Sequence, residues 1–93
     1  MFMVKFGVQI CQQNFTYDDV KEMWMGCEKW GFDTVFVYDH FYRDCLDAWT
    51  LMASLANITD RIRFGALVLC HAYRQPPSVL AKMASTLDHV SNC

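Results

Sequence analysis

Two short runs carry the side chains that could do chemistry. Val37-Tyr38-Asp39-His40-Phe41 passes from an apolar strand pattern straight to an acid, an imidazole and an aromatic ring, and Leu69-Cys70-His71 brings a thiol and a second imidazole to a similar place further on. The ends of parallel strands in α/β proteins are where ligands bind and reactions occur. A histidine there has an unperturbed pKa suited to proton transfer or to a hydrogen bond with a reducible ring. Two readings of the first run stand open: Asp39 and His40 face a site, or Asp39 caps the loop and His40 packs against Phe41 or Tyr42. Cys70 next to His71 does not make a nucleophilic pair, because adjacent residues of an extended segment point apart and no third orienting group accompanies them. Arg74 could hold an anion or tie its loop to a carboxylate. Gln9 and Gln12 lie near the end of the first strand, within reach of a site mouth.

The elements that must position these residues repeat three times. Val4 to Ile10 reads as a strand and is followed by a helix with Thr16 as its N-cap, Asp18 and Asp19 in its positive first turn, and a stop at Gly31. Val20, Met23, Trp24, Cys27 and Trp30 recur at helical spacing, which predicts one face laid on a sheet. Trp24, Trp30 and Trp49 are read as core side chains. Thr34 to Tyr38 is β-branched and aromatic on both alternating faces, the pattern of a strand covered on both sides. The loop Asp39 to Asp44 leads to a helix near Asp47 to Asn57 with Ala48, Leu51, Met52 and Leu55 as its buried stripe. Ile62 to Leu69 reads as a third strand, and Pro76-Pro77 opens a helix that carries Val79, Leu80, Met83, Ala84, Leu87 and Val90 inward. His89, late on that helix, suits its negative end and is given no further role.

Strand starts about 30 residues apart match a strand plus its crossover helix, so the chain is read as α/β, with parallel strands in the order 1-2-3. Residues 1–93 form at most one domain, which buries only about 60 to 65% of its unfolded surface. A closed (βα) barrel takes eight units and about 250 residues, so the expectation is an incomplete domain, the N-terminal (βα)3 portion of a TIM barrel. A doubly wound flavodoxin-like sheet, with strand order 2-1-3, is the competing architecture. The connection Gln9 to Thr16 has no glycine, and neither a dinucleotide fingerprint nor a phosphate loop is present.

Composition narrows the partners. The chain is 54% hydrophobic with a formal charge of −2 and no basic cluster, which excludes a disordered chain and offers nucleic acid or an anionic membrane little to attract. No apolar run approaches the roughly 20 residues of a membrane span, and no targeting segment is seen. The five cysteines are an odd, widely spaced set without Cys-x-x-Cys, which signals neither a disulfide framework nor a metal site and fits a reducing cytoplasm.

Taken together, Lys5-Phe6-Gly7-Val8-Gln9, Gly31 through Phe41, Arg61-Ile62-Arg63-Phe64-Gly65, Tyr73-Arg74-Gln75-Pro76 and Leu80 through Asp88 resemble the opening of a luciferase-like monooxygenase, closest to the deazaflavin-dependent group. The resemblance covers nearly the whole chain and implies a TIM barrel. It further implies a flavin-type cofactor, coenzyme F-420 (8-hydroxy-5-deazaflavin) or FMN, with a small organic substrate and either hydride transfer or monooxygenation. Carried over by position, it places Asp39 and His40 at the pocket of the ring, with His40 nearer the hydride-transfer centre. It also puts a non-prolyl cis peptide bond at Leu67-Val68 behind the ring, and Cys70 near the ring or its side chain. Helix three runs into Asp88-His89-Val90-Ser91-Asn92-Cys93, where relatives continue into a fourth strand; the 93 residues alone are therefore expected to be catalytically silent. A different class of answer is an interaction module that forms a homo-oligomer through exposed sheet edges.

Overall fold

A computed structural model describes residues 4–40, 45–69 and 76–91. The order is β1 (Gly7–Gln9), α1 (Tyr17–Lys29), β2 (Thr34–Val37), α2 (Ala48–Leu55), β3 (Arg63–Ala66) and α3 (Pro77–Val90). The three strands are parallel and lie side by side as β1-β2-β3. That order is the barrel's; a flavodoxin-like sheet would place β1 between the other two.

The local chemistry of each unit explains its form. Thr16 caps α1: its hydroxyl accepts the Asp19 N–H at 3.2 Å while the Asp19 carboxylate accepts the Thr16 N–H at 3.0 Å, a reciprocal capping box. The helix ends at Lys29 with Trp30 as its C-cap, and Gly31 follows at φ +86°, a conformation that glycine adopts without steric cost. Asp47 caps α2 by accepting the Thr50 N–H at 3.0 Å. Pro76 precedes α3 and Pro77 opens it, where a missing N–H costs nothing.

Register sorts the strand residues onto two faces. Val8, Val35 and Phe64 align across the sheet, as do Val37 and Ala66, and these meet α1 and α2. Val35 and Val37 are completely buried among Val20, Trp24, Leu51 and Leu55. The opposite face aligns Gly7, Thr34 and Arg63, then Gln9, Phe36 and Gly65. There, Gly7, Gln9 and Arg63 are exposed, and Thr34 and Phe36 are half-buried. A Cβ on Gly7 would come within 2.8 Å of the Phe36 ring, so glycine is what lets that ring lie across β1.

Four expectations change. β2 is covered on one face only, because the described helices all lie on the Val35–Val37 side. The strands are shorter than the apolar runs that announced them: pairing covers Gly7–Gln9 and Arg63–Ala66, and Val4 and Phe6 stand 77% and 65% exposed. Trp30 is 71% exposed and lies over Gly26 instead of on the sheet, because the chain leaves the helix one residue before it. The stripe on α3 is also only partly used. Leu80, Met83 and Leu87 are half-buried and no residue of α3 is buried. A crossover helix seats over two adjacent strands, and β3 is the last strand in the described sheet. On α2, by contrast, Ala48, Leu51, Met52 and Leu55 are all buried as the spacing predicts.

The N-terminal end of the sheet is held by one carboxylate. Glu28 Oε1 accepts the backbone N–H groups of Asp60, Arg61 and Ile62 at 2.9, 2.6 and 3.0 Å, and the Arg61 guanidinium donates back to the carbonyls of Phe32 and Glu28. Desolvation would raise the Glu28 carboxyl, but the bonds from Arg61, Ile62 and Asp60 and the Arg61 charge outweigh it and hold the group below its ordinary value of 4.5. A depressed folded-state pKa means stabilisation that is present above the unfolded value and lost as pH falls through the folded one. Glu28→Gln is expected to cost about 1 kcal/mol at neutral pH, a value kept low by partial exposure, and to flatten the acid limb of stability. Urea unfolding at neutral and acid pH checks this; parallel acid limbs for the two proteins would contradict it.

Candidate functional site at the C-terminal ends of the strands

The opposite end of the sheet gathers polar groups from all three strands. Gln9 closes β1, Tyr38-Asp39-His40 follow β2, and Leu67-Val68 follow β3. The Leu67-Val68 peptide bond is cis, as the family resemblance implied. Leu67 N–H donates to the Val37 carbonyl at 2.7 Å, Asp39 N–H donates to the Val68 carbonyl at 3.3 Å, and the Gln9 side-chain amide donates to the Leu67 carbonyl. Groups from β1 and β2 thus fix the backbone that follows β3. The Leu67 and Val68 side chains are 44% and 70% exposed, an apolar surface at the rim.

Asp39 and His40, adjacent in sequence, separate in environment. Asp39 is buried at 1% exposure, while His40 is exposed and lies on Tyr38, with ring centroids 4.9 Å apart and planes at 45°. The ring that His40 meets is Tyr38, on the strand side of it; Phe41 and Tyr42, the partners expected from the sequence, lie outside the described residues. Cys70, His71 and Arg74 lie outside the described residues. His89 is exposed in the last turn of α3, away from this rim.

Gln12, an indistinct signal in the sequence, is fully buried at the hub of the β1–α1 and β2–α2 connections. Its Nε2 donates to the Leu46 carbonyl at 2.8 Å, its Oε1 accepts the Tyr38 N–H at 2.6 Å, and its own N–H donates to the Tyr38 hydroxyl at 2.7 Å. Parity was the available clue: Val8, Ile10 and Gln12 alternate onto the core side, so an amide there had to be satisfied internally. Tyr38 completes the group, its hydroxyl also accepting the Gln13 N–H at 3.1 Å and lying 3.5 Å from Cys11 Sγ. Burial, then the contact with the Cys11 thiol, pushes the phenol above its ordinary value against the two N–H donors, so Tyr38 is neutral at physiological pH.

Among the described residues, no cluster of three or more His, Cys, Asp or Glu could hold a metal ion, and no helix is long and apolar enough to cross a membrane. What the rim offers is an apolar surface, an exposed imidazole and a backbone fixed by hydrogen bonds.

Comparison with known proteins agrees with this architecture. The family described as luciferase-like monooxygenase matches residues 1–92. This chain belongs to the luciferase-like monooxygenase family. It is 36% identical over 81 residues to pyrimidine monooxygenase RutA of Rhizobium rhizogenes, an alignment covering 77% of this chain and 22% of that protein. It is 31% identical over 96 aligned positions to an F420-dependent glucose-6-phosphate dehydrogenase of Amycolatopsis mediterranei, covering 97% of this chain and 29% of that protein. A shorter stretch of 52 residues is 44% identical to pyrimidine monooxygenase RutA of Pseudomonas syringae. The chain therefore spans less than a third of the length of these luciferase-like relatives.

Proposed function

We propose that this chain supplies the first three βα units of a flavin- or deazaflavin-dependent luciferase-like oxidoreductase. The observation that carries the reading is the convergence of Gln9, Val37 and Asp39 on the backbone of Leu67 and Val68, with exposed His40 next in the chain after Asp39. In this reading Leu67 and Val68 present an apolar surface to one face of the cofactor ring, and buried Asp39 holds the neighbouring loop through its N–H to the Val68 carbonyl. His40 meets the reacting edge, where it holds or moves a proton. The cofactor, coenzyme F-420 or FMN, carries the hydride or activates oxygen; the protein binds it, orients it and excludes water. The name of the Amycolatopsis relative favours F-420 and that of the RutA relatives favours a monooxygenase. The substrate is a small organic molecule and the compartment the cytoplasm.

Most of the grip on cofactor and substrate comes from the five remaining units of a barrel of eight, so the 93 residues alone are catalytically silent. The test joins residues 1–91 to the later units of the Amycolatopsis relative and titrates both proteins with F-420 and with FMN by fluorescence. The joined barrel is expected to bind one of them and the 93-residue chain neither. Binding and turnover by the short chain would contradict its silence, and a folded joined barrel that binds neither cofactor would contradict the reading.

A second reading rests on the exposed Val4 and Phe6 beside β1 and on the unpaired outer sides of β1 and β3 among the described strands. Such edges pair with other chains. A discrete folded oligomer of the 93 residues by light scattering would favour an interaction module.

A further inference from the structure

The contact between Tyr38 and His40 has a cause that lies behind it. An exposed histidine ordinarily samples several staggered rotamers. Tyr38, however, is tied at both ends. Its backbone N–H donates to Gln12 Oε1 at 2.6 Å, and its hydroxyl accepts the N–H groups of Gln12 at 2.7 Å and Gln13 at 3.1 Å. Gln12 is itself fixed, because it is fully buried and its Nε2 donates to the Leu46 carbonyl at 2.8 Å. The phenol cannot swing away without leaving two backbone N–H groups without their acceptor, a loss of about 1 kcal/mol or more for each. His40 lies on this anchored ring at 4.9 Å with a 45° tilt, a favourable aromatic geometry.

We propose that Tyr38 is a positioning residue for His40: the Gln12–Gln13 backbone anchors the phenol, and the phenol holds the imidazole at the rim. This rests on the reading of His40 as the group beside the cofactor ring. The arrangement explains why an aromatic side chain follows β2 on the parity of Phe36, the open face, yet reaches back to the β1–α1 connection. It also makes the β1–α1 loop a determinant of the reaction without contact with the reactants. Small displacements of a reacting group cost large factors in rate, so a fixed imidazole is worth the buried amide that secures it.

The test is proton NMR of the histidine ring signals in the 93-residue chain, with no cofactor present. His89, exposed on the last turn of α3, serves as the internal reference. In the wild-type chain the His40 ring protons are expected to be displaced from the His89 positions by the Tyr38 ring current. Tyr38→Leu removes the ring and should bring them markedly closer to the His89 positions. Tyr38→Phe keeps the ring but removes its anchors, and should leave the displacement between those limits. A wild-type His40 spectrum in either variant would overturn the proposal. If Tyr38→Leu fails to fold, the milder Tyr38→Phe decides. Because no cofactor enters, failure here leaves the cofactor reading intact. An anchored His40 that fails to respond to F-420 or FMN in the joined barrel overturns the positioning role while the contact stands.

Discussion

Trp24→Ala is expected to leave the chain without a cooperative unfolding transition. Trp24 is completely buried, its indole N–H donates to the Thr59 hydroxyl at 3.3 Å, and its ring meets Phe64 at 5.3 Å between centroids. It therefore joins α1 to β3 and to the turn after α2. Truncating such a residue costs about 3 to 5 kcal/mol, the transfer of the ring plus the cavity left behind. A domain of this length has roughly 5 kcal/mol to lose if it sits at the low end of the usual range, as a sheet with one open face should. Far-ultraviolet circular dichroism against urea measures the effect. Trp30→Ala supplies the contrast: Trp30 is 71% exposed, and its loss should change stability by under about 0.5 kcal/mol. Similar losses for the two tryptophans would contradict the packing described.

His40→Ala in the barrel joined to later units should lower kcat by roughly 10²-fold or more, the usual contribution of a positioned acid or base. Cofactor affinity should change little, because the apolar surface of Leu67 and Val68 remains. Stability should also hold within about 0.5 kcal/mol, since His40 is exposed. The pattern of kcat lost with binding kept distinguishes a group acting in the transition state from one that merely shapes the pocket. Steady-state turnover beside a fluorescence titration reads both quantities. Unchanged turnover would remove His40 from the reaction.

The units, their order and their caps were legible because each is written in local sequence. Thr16 and Asp19 are three residues apart, and the α2 stripe repeats at helical spacing. The 28- to 30-residue rhythm of strands, about the span of a βα unit, fixes the topology. What escaped was set by distant partners or by how far an element runs. The Glu28 carboxylate meets N–H groups more than 30 residues away in sequence, about which neither segment carries a mark. Trp30 obeys the helical spacing, but the helix ends at Lys29. The α3 stripe is written for a seat that β3 alone does not provide. At the rim, the sequence announced Asp39 and His40 together, whereas the fold buries one and exposes the other. Leu67 and Val68 carried no chemical signal of their own and came only from the family pattern. Gln12 was read only as within reach of a site mouth and Tyr38 only as the end of a strand, because an amide and a phenol near strand ends are common; their mutual bonding is what makes them an anchor.

The central claim is that the C-terminal ends of β2 and β3 meet the cofactor ring. Amide resonances of the isotope-labelled joined barrel, followed while F-420 or FMN is added, test it most directly. The account predicts that the amides of His40, Leu67 and Val68 shift with the binding isotherm while those of Glu28, Asp60 and Arg61, at the other end of the strands, stay in place. Saturable binding that moves Asp60 and Arg61 and leaves His40, Leu67 and Val68 unmoved would contradict it.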